Sequence, residues 1–490
     1  MASRVIVIGG GVGGLAAAAR LASQGHRVTL FERAPTVGGK VGRHERSTAE
    51  GHFRFDTGPG LLTLPQVFAD LFAATGSTLE RELDLQRLDP VVRHVLADGT
   101  VLDSGRDPGA FHDRIADALG RSAAADWSRL WRRAGRIFHA SWHHVLSGPR
   151  PSPLVLAGLA WHLRDLAAIA PGRSLRGLGR THLRDPRLRM LLERYATYTG
   201  SDPRRAPAAL AAIAYAELTF GGWYPRGGFG TLTDALLARC EALGVTVRTS
   251  TEVSRINVAG SRASGVTLST EDRHAADVIV ANVDPVTVGR DLLGSRVRSR
   301  PRSLAGFVLM LGVRGPTSGL AHHTVLFPDD YDAEFDAIFG RPARPVDDPT
   351  LLITVPEDPL VRPDGCEAWF VLANAPPHGH TNSTVDWLRP GRAEAYADRL
   401  LDVLARRGFE VRGRLLFREI RTPADLERDT ASPGGAIYGT PSHGWRGLLR
   451  PPNRGPVEGL YLVGGSTHPG GGLPMVALSA RIVADQIGLA

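Results

Sequence analysis

Cysteine is nearly absent from this 490-residue chain: only Cys240 and Cys366 occur, far apart in sequence. That argues against a disulfide framework and favours a reducing cytoplasm. Lysine is scarcer still. Lys40 is the single one among 58 basic residues, so the formal charge of +8 rests on arginine. There is no basic tail, no aromatic-interleaved RNA motif and no helix-turn-helix pattern, so no nucleic-acid partner is expected. No run reaches the ~20 apolar residues that span a bilayer, and the best, Ala208 to Ala216 and Leu304 to Val313, are too short. No Cys/His cluster has metal-ligand spacing, so no metal is expected. A strand-like run begins within a few residues of Met1, and no signal peptide is expected. Apolar content of 43% and charged content of 22% are ordinary, and the length implies two or three domains.

What is present begins at Val5. Val5-Ile6-Val7-Ile8 stops at Gly9-Gly10-Gly11-Val12-Gly13-Gly14, and a small-residue helix follows from Leu15. After Gly25 a second strand-like run, Arg27 to Phe31, ends in Glu32. Strand, G-x-G-x-x-G, helix, strand, acid is a dinucleotide-binding βαβ unit. Gly9 allows the tight turn, Gly11 lets backbone approach a pyrophosphate, and Gly14 lets helix pack closely on strand. The helix N-terminus offers free N–H groups to the phosphates, and Glu32 accepts from the ribose hydroxyls.

Elements of this nucleotide fold recur, which implies interleaved domains. Residues 1–72, 223–289 and 451–490 read as one nucleotide-binding domain. It includes a helix at Leu232 to Leu237, strands at Val245 to Thr249 and at Glu252-Val253, a buried strand at Ala276 to Asn282, and a closing strand and helix from Leu460. Residues 73–222 read as a helix-rich insertion carrying Trp127, Trp131, Trp142 and Trp161. Residues 290–450 read as a separate sheet, with strands at Ala305 to Val313, His323 to Phe327, Leu351 to Val355 and Ala368 to Ala373, and a helix from Glu394 to Arg406.

Two further glycine turns bear on the cofactor. Gly38-Gly39-Lys40 follows Glu32, and Asp56-Thr57-Gly58-Pro59 comes soon after. Near the C-terminus, Gly464-Gly465 and Ser466-Thr467-His468-Pro469-Gly470 lead into the helix at Leu473-Pro474-Met475-Val476. A nicotinamide has no need of a second glycine turn opening a terminal helix, whereas a large flavin does. The first site holds its ADP half, and the last helix presents its N-terminus to the isoalloxazine. The spacing favours FAD over NAD.

The chain resembles the bacterial phytoene desaturase family of FAD-dependent carotenoid desaturases, related to the amine oxidases. The resemblance is carried by the opening βαβ with Gly38 to Lys40 and Asp56 to Pro59, by Trp223-Tyr224-Pro225-Arg226-Gly227-Gly228, by His322 to Tyr331 with Phe335 and Phe339, and by Ser466 to Gly470. Arg194-Tyr195-Ala196-Thr197-Tyr198-Thr199-Gly200 and Pro433 to Gly439 resemble the 1-hydroxycarotenoid (hydroxyneurosporene-type) 3,4-desaturases more than the phytoene enzymes. Small departures, at Thr199, Arg226 and Phe229, touch substrate choice and not fold. The resemblance implies an α/β fold: a Rossmann-like FAD domain of the glutathione reductase/amine oxidase type, interleaved with a mixed-sheet substrate domain and a helical, membrane-facing region. It implies FAD contacts at Gly9, Gly11, Gly13, Gly14, Glu32, Arg33, Gly39, Lys40, Thr57, Gly58, Pro59, Val253, Gly464 and Gly465, with Pro474, Met475 and Val476 beside the flavin. Alternatively, Val253 is a buried strand residue, Lys40 a solvated loop charge and His468 a structural hydrogen-bonding group.

Such an enzyme removes hydride to flavin N5 and a proton from the neighbouring carbon. The allylic cation is stabilised by the polyene itself, so a weak base suffices. Arg194, Tyr195, His322 and His468 are the catalytic candidates, with Tyr198 and Glu217 as further polar groups. The expected substrate is an acyclic, 1-hydroxylated carotenoid, and the electron acceptor is oxygen or quinone. The expected location is cytoplasmic, peripherally on the inner face of the cell membrane. Trp142 to Leu191 mixes Trp142, Trp161 and leucines with Arg164, Arg173, Arg176 and Arg180, the composition of an interfacial surface or of a buried helical cap. A phytoene or diapophytoene desaturase, a carotenoid isomerase, an amine oxidase-like enzyme and a flavin-bound protein without turnover are the competing readings.

Overall fold

Uninterrupted apolar strands are stable only where both faces are covered, and the chain meets that need with a parallel sheet between helices. In the computed structural model, residues 2–490 are described except 106, 153–168, 171, 299, 445, 446 and 448. The strands Leu460–Leu462, Val278–Ala281, Arg4–Ile8, Arg27–Phe31 and Thr246–Arg248 lie side by side in that order, all parallel. Val5 stands opposite both Val278 and Val28. The alanine-rich helix Val12–Ser23 packs against the last helix, Leu473–Ile487, and against Gly230–Ala242. Its small side chains let it sit close to the sheet, with Leu15 to Ala18 fully buried. Three antiparallel strands, Val253–Ala259, Arg262–Leu268 and Arg273–Ala275, form a separate small sheet.

The second layer is a seven-stranded sheet ordered Leu415–Arg421, Ala305–Arg314, Cys366–Ala375, Leu351–Thr354, His323–Leu326, Val92–Val95 and Val101–Ser104. The last two strands revise the sequence reading, which made 73–222 a helical insertion. Val92–Val95 pairs parallel with His323–Leu326, extending the substrate sheet by a hairpin from the other insertion. Four-residue strands rich in polar groups carry little periodic signal and are stabilised by this long-range pairing. Leu85–Arg87 likewise pairs with Trp223–Pro225. One face of the large sheet buries Phe307, Leu309, Ile353, Trp369 and Val371 under the helix Arg392–Arg406. The opposite face is left for the site.

The helical region is built on Arg121–Ser141, where Trp127 packs edge-on against Phe111 and Trp131 lies on Tyr215. Trp142 stacks on Phe138 at 5.7 Å. Arg176 is tied to Glu193 and Asp332. In the segment read as interfacial, Leu154, Val155, Leu156, Leu159, Trp161, Leu163, Arg164 and Leu166 lie outside the described residues. Among the described residues no helix is long and apolar enough to cross a membrane.

Candidate functional site

The parallel strands end at a common edge, where ligands bind in open α/β sheets. Gly9, Glu32 and Asn282 follow directly on Ile8, Phe31 and Ala281, and all three border one cavity of about 1050 Å³. Gly9 takes φ +95, and a Cβ on Gly14 would lie 2.0 Å from the Gly9 carbonyl oxygen, so the turn closes only with glycine at both positions. Side chains at Gly11 or Gly13 would press on Asn282, at 2.9 and 2.8 Å. The helix that follows has no side-chain cap at Gly11 and no acid in its first turn. Its N–H groups and dipole are therefore left to an anion. The Glu32 carboxylate accepts the Gly10 N–H at 2.6 Å and the Ala34 N–H at 2.8 Å, with lone pairs remaining for ribose hydroxyls.

The same cavity continues past Val253, Gly39, Lys40, Thr57, Gly58 and Pro59 to Gly464, Gly465, Pro474, Met475 and Val476. There the closing helix also begins without a side-chain cap, at Gly472. Two uncapped helix N-termini on one elongated cavity, with a buried acid at its far end, fit an adenine dinucleotide with a second aromatic half. Lys40 is no solvated loop charge. Its ammonium donates to the Ile437 and Ala436 carbonyls at 2.7 and 3.2 Å, and burial lowers its pKa to about 8 against the attraction of Asp284.

Beyond this end the cavity wall is one face of the seven-stranded sheet. Strand parity selects Val308, Phe370, Leu372, Leu352, Thr354, His323, Val325 and Val92, which stand at alternate positions of paired strands. Phe138, Ala212, Ile213 and Ala216 cover it from the helical side. The result is a largely apolar arm leading away from the nucleotide turn.

Polar groups gather on the wall of this arm. The turn after the helix Pro186–Arg194 folds back so that Tyr195 and Tyr198 both donate to Glu217, at 2.8 and 2.7 Å. Glu217 is fully buried in the helix Ala211–Phe220. The Arg194 guanidinium lies 5.1 Å from the centre of the Tyr198 ring and is 5% exposed. Burial opposes its charge, but Tyr198, Glu217 and Tyr195 outweigh that and hold it protonated. Burial keeps the hydroxyls of Tyr195 and Tyr198 un-ionised.

Of the catalytic candidates, Arg194 alone stands on the cavity wall. Tyr195 is completely buried behind it and its hydroxyl is spent on Glu217. His322 points to the other side of its strand, 4.7 Å from Tyr224, while its neighbour His323 faces the cavity. Burial lowers His322 to about 4 and holds His323 well below the usual imidazole range. His468 shares Nε2 with the Gly148 carbonyl at 3.0 Å and ties two loops together. Of the cofactor residues, all but Gly14 border the cavity, and Gly14 acts by packing. Asn282, Tyr438 and Arg450 also border the cavity and were not among the site residues read from the sequence. Asn282 had a signal, as the polar residue ending a buried parallel strand. Arg450, which donates to the Tyr438 and Thr440 carbonyls, had none.

Comparison with known proteins agrees with this geometry. The model of the flavin containing amine oxidoreductase family matches residues 12–305. A hydroxyneurosporene desaturase from Cereibacter sphaeroides is 34% identical over 99% of this chain and 97% of its own. A 4,4'-diapolycopene oxygenase from Methylomonas is 33% identical over 99% and 98%. Among solved structures, cyclohexylamine oxidase from Brevibacterium oxydans shares the fold, with a TM-score of 0.60 at 16% identity over 99% of this chain and 100% of that one. An adenine-dinucleotide cradle, a terminal helix aimed at a second aromatic half and full-length similarity to carotenoid enzymes lead to one conclusion: the chain belongs to the flavin-containing amine oxidoreductase family, within its carotenoid desaturase branch, and is an FAD-dependent oxidoreductase.

Proposed function

We propose that this protein desaturates an acyclic carotenoid carrying a 1-hydroxyl group, introducing the 3,4 double bond. The observation that carries the reading is the single cavity running from the glycine turn at Gly9 to the apolar wall of Val308, Leu352 and Leu372. Such a space takes a cofactor at one end and a long hydrocarbon at the other. FAD held along Gly9, Glu32, Lys40 and Gly464 would supply the two-electron oxidant. The chain's own residues exclude water with the apolar sheet face and hold the polyene in line with the flavin. The similarity to hydroxyneurosporene desaturases over nearly the whole chain supports the choice of a hydroxylated substrate. The substrate enters from the inner face of the cell membrane, to which the protein binds peripherally, and the electrons pass on to oxygen or quinone.

Expression in a host that accumulates acyclic carotenoids, followed by mass spectrometry of the pigments, tests this. A product lighter by two hydrogens and red-shifted is expected from a 1-hydroxylated substrate. Efficient conversion of phytoene with the hydroxylated carotenoid ignored would overturn the substrate assignment. A product heavier by one oxygen would put the chain with its 33% identical oxygenase relative instead.

A further inference from the structure

Desaturation needs two exits from the substrate, one for hydride and one for a proton, and the second lacks an owner. On the apolar arm the ionisable side chains facing the cavity include Arg194, Tyr198, His323, Tyr331 and Tyr438. Arg194 is held protonated and cannot accept. His323 is neutral but a poor base, because burial above all disfavours its protonation and the nearby charge of Arg194 adds to that. Neither Tyr331 nor Tyr438 is hydrogen-bonded to a carboxylate among the described residues. Tyr198 differs. Its hydroxyl donates to Glu217 Oε2 at 2.7 Å, and its ring sits beside the Arg194 guanidinium.

Position supports this choice. The ring of Tyr438 touches the turn that ends at Gly200, two residues after Tyr198, and also touches Gly471 in the loop opening the last helix. A Cβ placed on either glycine would lie within 3.0 Å of opposite edges of that ring, at Cδ2 and Cδ1. The turn bearing Tyr198 and the loop that frames the flavin end are therefore one ring apart.

We infer that Tyr198 takes the proton from the oxidised polyene and passes its own proton to Glu217. The inference rests on the desaturase reading. After hydride has left, the C–H bond next to the cation breaks and its electron pair becomes the new π bond. The proton bonds to Tyr198 Oη as the original phenolic proton moves to Glu217 Oε2. Tyr198 ends neutral, Glu217 ends protonated, and the positive charge of the polyene is gone. The carboxylate stays out of contact with the apolar chain, which fits a fully buried Glu217 off the cavity wall. Glu217 is thus a positioning residue that acts through Tyr198, and Tyr195, its other donor, keeps it aimed.

Tyr198→Phe keeps the ring beside Arg194 and removes only the hydroxyl. FAD-loaded protein is mixed without oxygen with a 1-hydroxylated acyclic carotenoid in oxygen-labelled water. The rate of a single turnover should fall about 100-fold or more in Tyr198→Phe, with the carotenoid concentration that gives half the maximal rate little changed. The cation then lives long enough for water to capture it, giving a labelled product heavier by one oxygen. Glu217→Gln should behave the same way, and Glu217→Asp should recover part of the rate. Tyr195→Phe should lose less than Tyr198→Phe and give no labelled alcohol. Wild-type turnover in Tyr198→Phe, or equal losses in both tyrosine variants without labelled product, would overturn the relay. A wild-type enzyme that oxidises no acyclic carotenoid would sink the desaturase reading itself, and the relay with it.

Discussion

Glu32 and Gly10 are joined by a 2.6 Å hydrogen bond from the Gly10 N–H to the carboxylate, so the acid that ends the second strand also clamps the glycine turn after the first. Substituting it therefore removes a ribose partner and loosens the phosphate turn together. Glu32→Ala should weaken FAD retention by about 1.5–3 kcal/mol, roughly 10- to 150-fold in Kd. Equilibrium dialysis of FAD against the variant measures this. Retention equal to wild type would refute both roles of the carboxylate.

Asp56 gives the fold a pH dependence. Burial raises its carboxyl from 3.8 to about 6, against hydrogen bonds from the backbone of Phe229 and Gly230. A carboxyl raised in the folded state stabilises it fully below about pH 4, and that contribution is lost as pH rises through about 6. The loss is about 3 kcal/mol. Asp56→Asn should flatten the stability profile across that window in chemical denaturation, and an unchanged slope would exclude Asp56 as its source.

Arg176 bridges Glu193, at 2.9 Å, and Asp332, at 2.8 Å, joining the helices Leu175–His182, Pro186–Arg194 and Tyr331–Phe339. Glu193 is buried, and its pKa is already raised by burial against the pull of Arg176. Arg176→Met leaves that carboxylate uncompensated and should cost about 3 kcal/mol at neutral pH. Without the arginine the Glu193 pKa rises further, so the deficit should shrink as pH falls. A deficit independent of pH would point to lost packing instead.

Peripheral membrane binding is testable without turnover. With a formal charge of +8 carried by arginine, the protein should float with anionic vesicles at low ionic strength and be released by salt. Absence from the vesicle fraction at low salt would refute it.

The nucleotide half of the site was legible because its chemistry is local. Gly9, Gly14 and Glu32 lie within one βαβ unit, where a tight turn, a close helix contact and an acid at a strand end each demand a particular residue at a particular spacing. The Gly464-Gly465 turn and the helix after it carry the same local signature at the other end. The apolar run at Val278 likewise announced a strand buried on both faces, and the alternating run at Ala305 announced a strand of the second sheet.

The substrate half was decided by tertiary structure. His322 and His323 are adjacent in sequence, and only the pairing of His323 with Thr354 in the sheet determines which of them faces the cavity. A strand has period two, so a shift of one residue would exchange their roles. Tyr195 and Tyr198 both reach Glu217, yet the turn that carries them turns one inward and leaves the other on the wall. Val92–Val95 became a strand because His323–Leu326 offered an edge more than 200 residues away. Local spacing determined where the cofactor binds. Which side chains meet the substrate depends on long-range register, a property of contacts between segments that no single segment carries.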